Sequence, residues 1–339
     1  MNDGLPLVTL YLTERCNSRC VTCDYWRHGR KDVTLEAVTR LLPDLRALRT
    51  RTALISGGEP LLNPQWREIA ETLRSEGIDL WLLTSGLSLF KHARPAAGLF
   101  KTVTVSLDGT CAETYTAIRG LDAFDKVCDG IRAASAAGVA VGLRITLQRA
   151  NFRELPRFVT LGRELGASQV SFLAVDVSNP HAFARREDFS PELALRATEV
   201  EELDALVGDL ERNHADDFRR RFIAEAPAKM RAIRDYFAAL CGMGPFPPVR
   251  CNAPEFSAVV GVDGRVSPCF FIPGPAAAAG EGLATQLAGA PMVELRRAIR
   301  NGERRECERC VCSMYRQLDV QRAPVNLGLG LGRKVQAGV

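Results

Sequence analysis

Three cysteines fall within eight residues near the start of the chain: Cys16, Cys20 and Cys23, at intervals of four and three. Thiolates at such short spacing are the ligands that hold iron–sulfur clusters. Three of them would fix three corners of a four-iron cubane and leave one iron without a protein ligand. An open metal position is one that a substrate or cofactor can occupy. Plainer readings compete with this one. At helical period the three side chains would share a face and pack as small hydrophobes. A structural zinc ion would need a fourth ligand, and His28 is the one close candidate. An odd number of thiols, in a chain that reads as cytoplasmic, argues against a disulfide.

The elements that must position these thiols are legible around them. The chain has 339 residues, 46% of them hydrophobic, and a net charge of +4. That is ordinary for a globular protein with a core and makes no case for nucleic acid. No apolar run approaches the ~20 residues that would span a bilayer. Eleven cysteines, unevenly scattered, fit metal or cluster ligation better than disulfides.

Short apolar strands are expected over 7–12, 52–56, 79–83, 102–105, 141–147 and 169–175, with helices over 34–48, 64–76, 124–137 and 153–165 between them. Strands alternating with helices imply a parallel sheet. Six units are too few for a closed eight-fold barrel, so the expectation is an α/β fold, a partial (β/α)6 TIM-like barrel. Gly57-Gly58-Glu59-Pro60, Thr84-Ser85-Gly86 and Ser106-Leu107-Asp108-Gly109 all fall at the C-terminal ends of strands. In α/β barrels that rim is where chemistry is assembled. Each of these turns is by itself common turn chemistry; their order on successive strands is not.

The three-cysteine run, followed by these turns in this order, resembles the radical S-adenosylmethionine (radical SAM) family. The resemblance implies a [4Fe-4S] cluster on Cys16, Cys20 and Cys23 whose open iron is chelated by SAM. Reductive cleavage of SAM would then give a 5′-deoxyadenosyl radical. It further implies SAM contacts from Gly57, Gly58, Glu59 and Pro60 to the amino group, with the glycines permitting close approach to the ligand. Ser85 would lie near SAM, and Ser106 and Asp108 would meet its carboxylate or ribose. Arg119, Arg144 and Thr146 would meet the carboxylate, with Arg144 suited to a bidentate pair, and Leu173 would wall the adenine. The position before the third cysteine, usually aromatic in this family, is Thr22, with Tyr25 and Trp26 just after it.

Beyond the sixth strand the pattern changes. Residues 179–245 read as a helical insert, with Leu203, Leu206, Val207 and Leu210 at helical spacing and a second helix over 217–240. Arg219-Arg220-Arg221 reads as a solvated face. From Cys241 onward six cysteines follow in about seventy residues. Cys251 and Cys269 flank a hairpin with the turn Val262-Asp263-Gly264-Arg265, and Cys307-Glu308-Arg309-Cys310-Val311-Cys312 comes later. Residues 246–320 thus resemble the SPASM/twitch extension of radical SAM enzymes, with 321–339 as a poorly ordered tail. A fully protein-ligated four-iron cluster takes four cysteines, so one auxiliary cluster is expected, on Cys251, Cys269, Cys307 and Cys310. Cys312 could replace Cys310, and Cys241 could replace any of them. A structural zinc knuckle would use the same ligands. Cys111 and Cys128 read as small buried hydrophobes.

The function implied is hydrogen-atom abstraction from a substrate C–H bond by a SAM-derived radical, with barrel residues 1–178 carrying the chemistry. The auxiliary cluster would accept an electron or anchor the substrate, so the enzyme is of oxidoreductase or isomerase type. The substrate would be a small molecule, aminosugar- or cyclitol-like, as in aminocyclitol dehydrogenases, or a ribosomal peptide undergoing epimerisation or cross-linking. With six residues before the first strand, a peptide leader would be held by a separate protein. The Gly-Gly carboxy end of the molybdenum-cofactor cyclases is replaced by Ala337-Gly338-Val339. Cys241 is a candidate hydrogen-atom donor. An external reductant such as flavodoxin or ferredoxin would supply the electron. A non-catalytic iron–sulfur carrier is the alternative of another class, but it would have no use for an amino-acid-binding turn at Gly57–Pro60.

Overall fold

A computed structural model of the chain describes residues 4–181, 183, 191–278 and 280–316. Its six leading strands are β1 (Leu7–Tyr11), β2 (Thr52–Ser56), β3 (Asp79–Thr84), β4 (Thr102–Ser106), β5 (Ala140–Leu147) and β6 (Gln169–Ala174). They pair in parallel in chain order. Between them run α1 (Leu35–Ala47), α2 (Trp66–Ser75), α3 (Leu89–Leu99), α4 (Ala112–Arg119), α5 (Phe124–Ala136) and α6 (Leu155–Glu164). This is the expected partial barrel. Each strand buries one face against the helices: Val8, Leu10, Ile55, Leu82, Val105 and Ile145 belong to one large core. The alternate residues point to the other face, as the two-residue period of a strand requires.

That inner face has two zones. At its base Leu7, Leu54 and Trp81 pack against Ala253, Phe256 and Met314 of the C-terminal part, which fill the interior. Towards the C-terminal strand ends the inward residues Tyr11, Ser56, Leu83, Ser106, Arg144 and Leu173 are all half-buried. The mouth of the barrel is therefore open and polar while its floor is closed and apolar.

The expected helices at 34–48, 64–76, 124–137 and 153–165 are present, with α1 capped by Thr34, whose hydroxyl accepts from the Ala37 amide. α3 and α4 were not anticipated; α3 holds Pro95, and α4 is only eight residues long, so neither shows a clean helical period. The insert holds α7 (Ala197–Asn213), α8 (Ala215–Arg219) and α9 (Pro227–Leu240). The single helix expected over 217–240 is thus two. Arg221 takes a left-handed φ of 59°, Ile223 pairs with Val170 beside β6, and Pro227 opens α9 where its missing N–H costs nothing. Arg219, Arg220 and Arg221 are exposed, as a solvated face should be.

The C-terminal part contributes α10 (Ala253–Phe256), the hairpin β7 (Ser257–Val260) and β8 (Val266–Ser267), then α11 (Leu283–Ala288), α12 (Ala290–Arg300) and α13 (Arg305–Glu308). β7 pairs in parallel with β1, so one eight-stranded sheet runs in the order β6-β5-β4-β3-β2-β1-β7-β8. The segment 321–339 lies outside the described residues.

Candidate functional site

The segment carrying Cys16, Cys20 and Cys23 leaves β1 at the barrel mouth and is held from two sides. On one side, Gly58 N–H donates to Thr13 O (2.9 Å) and Glu59 N–H to Arg15 O (2.7 Å). A Cβ on Gly57 would stand 2.7 Å from Thr13 O, and one on Gly58 2.2 Å from Arg15 O. The two glycines therefore make room for the chain's own cysteine segment. On the other side, Arg19 and Val21 donate to the carbonyls of Arg119 and Ile118, both at 3.0 Å, at the end of α4. Gly120 closes that helix at φ +71°, and a Cβ there would meet Arg19 O at 2.4 Å.

Glu59 is fully buried. Its carboxylate accepts from Ser85 Oγ (2.6 Å), Ser85 N–H (2.7 Å), Thr84 Oγ (2.8 Å) and Leu61 N–H (3.2 Å). Its acceptors are thus engaged by β3 and by the turn that Pro60 begins. Ser85 Oγ also lies 3.2 Å from Asn17 Oδ1 in the cysteine segment. Asp108, Arg119 and Thr146 come together as well: Asp108 accepts from Arg119 Nη1 (3.1 Å) and Thr146 N–H (2.7 Å). Burial raises the Asp108 carboxyl, opposed by the Arg119 charge and the Thr146 amide. Burial also works against the Arg119 charge, but Cys20 and Asp108 carry that group upward. These two directions pull the pair opposite ways; the two N–H donors on Asp108 favour the ion pair. Ser106 and Arg144 are register partners on β4 and β5, and Thr146 faces Leu173 on β6.

All eleven cysteines are free. Burial pushes the Cys16 thiol up to about 11 and Cys23 to about 12, with neighbouring thiols adding to both; burial also raises Cys20, against the pull of Arg119. Thiols so placed become good ligands only on losing their protons, and metal binding supplies that drive. Among the described residues no three His, Cys, Asp or Glu side chains stand close enough for a single metal ion. A cubane places each cysteine sulfur on its own iron and so accepts wider spacing. The three thiols, in no disulfide and gathered in one half-buried segment, fit a cluster.

In the C-terminal part Cys251, Cys269, Cys307 and Cys310 lie within electrostatic reach of one another. Burial raises Cys269 to about 12 and Cys307 to about 11. Cys312 adjoins Cys310, but the charges acting most strongly on it are those of Arg144 and Lys229. Cys241 is set apart, its thiol donating to Leu195 O at 3.3 Å. Cys111 is exposed, contrary to expectation, because it precedes the first turn of the short α4, whereas Cys128 is buried on α5. Tyr11 and Tyr25 meet edge to face at 5.7 Å, and the phenol of Tyr11 is within electrostatic reach of both Cys23 and Cys269.

Sequence reasoning missed Asn17, Asn151 and Glu225. Asn151 donates to Asp108 O (2.9 Å) and Thr146 O (3.0 Å). Glu225 is buried against Ser171 Oγ (2.9 Å) and Phe172 N–H (2.8 Å). Their partners lie up to 68 residues away, so no local pattern marks them.

Among proteins of curated function, a probable GTP 3′,8-cyclase of Saccharolobus islandicus is 27% identical over 283 residues, covering 79% of this chain and 84% of that one. An Fe-coproporphyrin III synthase of Methanosarcina barkeri is 29% identical over 205 residues, 58% of this chain and 51% of that one. The fold is shared with Streptococcus suis SuiB bound to S-adenosylmethionine (12% identity, TM-score 0.67, 92% of this chain and 73% of that chain). It is also shared with anSMEcpe bound to AdoMet and a peptide (17% identity, TM-score 0.64, 91% and 89%). Radical SAM proteins use a [4Fe-4S] cluster and SAM, and the clamped thiols at the barrel mouth are the donors such a cluster takes. Residues 10–161, a little under half of the chain, match the family described as the Radical SAM superfamily.

Proposed function

We propose that this chain is a SAM-dependent radical enzyme acting on a substrate C–H bond at the open end of the partial barrel. The observation that carries the reading is the double clamp on the cysteine segment: the Gly57–Glu59 turn on one side, the end of α4 on the other. Cys16, Cys20 and Cys23 would hold the cluster with one iron free for SAM. When bound, cluster and SAM supply a hydrogen-abstracting radical by one-electron cleavage of the sulfonium.

The protein's own residues do the rest. Glu59, enclosed by four donors, fixes the Gly57–Pro60 turn, which would bind the SAM amino group. Asp108 orients Arg119 behind Cys20 and fixes the Thr146 amide. Arg144 has no bonded acceptor among the described residues and is suited to a carboxylate. Leu173 would give the adenine an apolar contact at the otherwise polar mouth. Cys251, Cys269, Cys307 and Cys310 would carry the auxiliary cluster, with Cys312 close to the charges of Arg144 and Lys229.

The substrate we favour is a small molecule bearing a carboxylate or phosphate. Lys229, like Arg144, has no bonded acceptor among the described residues, and the relatives named above are named for GTP and coproporphyrin. A ribosomal peptide is the second candidate, in keeping with the peptide-bound fold neighbour.

The test is anaerobic reconstitution with iron and sulfide, then dithionite and SAM, with 5′-deoxyadenosine as readout. Alanine at Cys16, Cys20 or Cys23 abolishes it, and alanine at exposed Cys111 leaves it unchanged. Reconstituted protein that forms no 5′-deoxyadenosine with dithionite overturns the reading in favour of an iron–sulfur carrier.

A further inference from the structure

Cysteine sulfurs of both thiol groups accept backbone N–H bonds: Cys16 from Ser18 at 3.5 Å, Cys269 from Phe271 at 3.5 Å and Cys251 from Met314 at 3.4 Å. Hydrogen bonds to the sulfurs of a cluster help to set its reduction potential. Reduction adds negative charge to the cluster and its thiolates. An N–H dipole aimed at a sulfur therefore favours the reduced form and raises the potential. It does so only where the donating peptide is held in place.

In the C-terminal group both donor residues are gripped through their carbonyls by an asparagine. Asn179 Nδ2 donates to Phe271 O at 3.1 Å, across 92 residues of sequence. Asn179 is itself buried and fixed: its N–H donates to Asp176 Oδ1 (3.0 Å), and its Oδ1 accepts from the His181 N–H (2.9 Å). It follows β6, at one end of the open sheet, whereas Phe271 follows β8, at the other. Asn252, next to Cys251, donates its N–H to Met314 O at 2.9 Å. Its side chain makes a reciprocal pair two residues further on, Nδ2 donating to Arg316 O (2.7 Å) and Oδ1 accepting from the Arg316 N–H (2.8 Å). Phe271 and Met314 are both buried, and an N–H dipole acts more strongly away from water.

We propose that Asn179 and Asn252 are positioning residues that hold the Phe271 and Met314 amides on the sulfurs of Cys269 and Cys251, and so raise the reduction potential of the auxiliary centre. The proposal rests on the auxiliary cluster proposed above. It adds no step to the reaction: the two side chains set how readily that centre takes up one electron, and no bond forms or breaks.

The test uses the full chain with alanine at Cys16, Cys20 and Cys23, reconstituted with iron and sulfide, so that the auxiliary centre is the cluster that remains. A redox titration followed by electron paramagnetic resonance reads its midpoint potential, first with both asparagines present and then in Asn179→Ala, Asn252→Ala and the two combined. Each single variant has a lower potential. In the combined variant the equilibrium constant for reduction falls about tenfold, which is about 59 mV for one electron. A merely structural role lowers bound iron or stability but leaves unchanged the potential of whatever cluster forms. Cluster-bearing variants at the unsubstituted potential therefore overturn the proposal. Labelling with nitrogen-15 phenylalanine or methionine gives a second readout: the reduced cluster shows hyperfine coupling to an amide nitrogen with each label, weakened in the matching alanine variant. Absence of both couplings from the protein that keeps its asparagines overturns the proposal, even where the alanine variants take up no iron. Failure of that protein to bind iron overturns the auxiliary centre itself, so the two failures are distinct.

Discussion

Removing the Glu59 carboxylate tests the view that this residue fixes the turn instead of touching a ligand. Glu59→Ala leaves the Ser85 amide and hydroxyl, the Thr84 hydroxyl and the Leu61 amide without their acceptor in a fully buried place. Hydrogen bonds to a charged group contribute roughly 1.5–3 kcal/mol each, and a buried donor left bare costs a comparable amount. The four share one acceptor, and the buried charge itself carried a desolvation cost, so they do not add. A net loss of about 3–5 kcal/mol is expected, in the range for breaking a buried charged cluster by removing one member. Glu59→Gln keeps the shape but turns an N–H₂ towards donors and loses about 1–3 kcal/mol. Urea unfolding of metal-free protein measures both. Because Ser85 also touches Asn17, bound iron after reconstitution falls in the same order, wild type above Gln above Ala. A loss under about 1 kcal/mol for Glu59→Ala would refute the argument, since so small a cost means that water already satisfies those donors.

Further outcomes follow from the same geometry. Gly58→Ala and Gly120→Ala each push a Cβ against the cysteine segment, at 2.2 Å and 2.4 Å from a carbonyl oxygen. Each lowers bound iron and costs roughly 1–3 kcal/mol by overpacking, read by urea unfolding. Serine at Cys251, Cys269, Cys307 or Cys310 lowers bound iron by about four per chain in a colorimetric assay, whereas Cys241→Ser changes nothing. Burial pushes the Asp217 carboxyl up, but bonds from Arg163 and His214 outweigh it and hold it below the ordinary value. A depressed folded-state pKa contributes stability that is present above the unfolded value, about 4, and is lost as pH falls through the folded one. Asp217→Asn therefore shows a shallower fall in urea midpoint below about pH 4 than wild type.

The parallel strands and the mouth were legible because period-two apolar runs and their terminal Gly, Ser and Asp residues are local signals. Leu7, Ser56, Val105 and Thr146 could be placed on strands from a few neighbours each. The roles of the turn residues were less legible. Glycines at 57 and 58 announce a close approach, but only the structure shows that the approaching atoms are Thr13 O and Arg15 O. Glu59 looked like a ligand group for the same reason, and its donors come from a strand some 25 residues on. The insert was misjudged where Phe218 and Phe222 continue a helical spacing across Arg221, whose positive φ breaks the helix. Glu225 and Lys229 carry no local mark at all, since their meaning depends on the approach of Ser171 and Cys312.

The parallel pairing of β7 with β1 has a mechanical consequence. The same strand, β1, leads on its far end into the first thiol segment and along its edge into the hairpin that precedes Cys269. Both thiol groups are thereby rooted in one continuous eight-stranded sheet through the β1–β7 ladder. A change that splits β7 from β1 therefore disturbs the approach to both thiol groups at once.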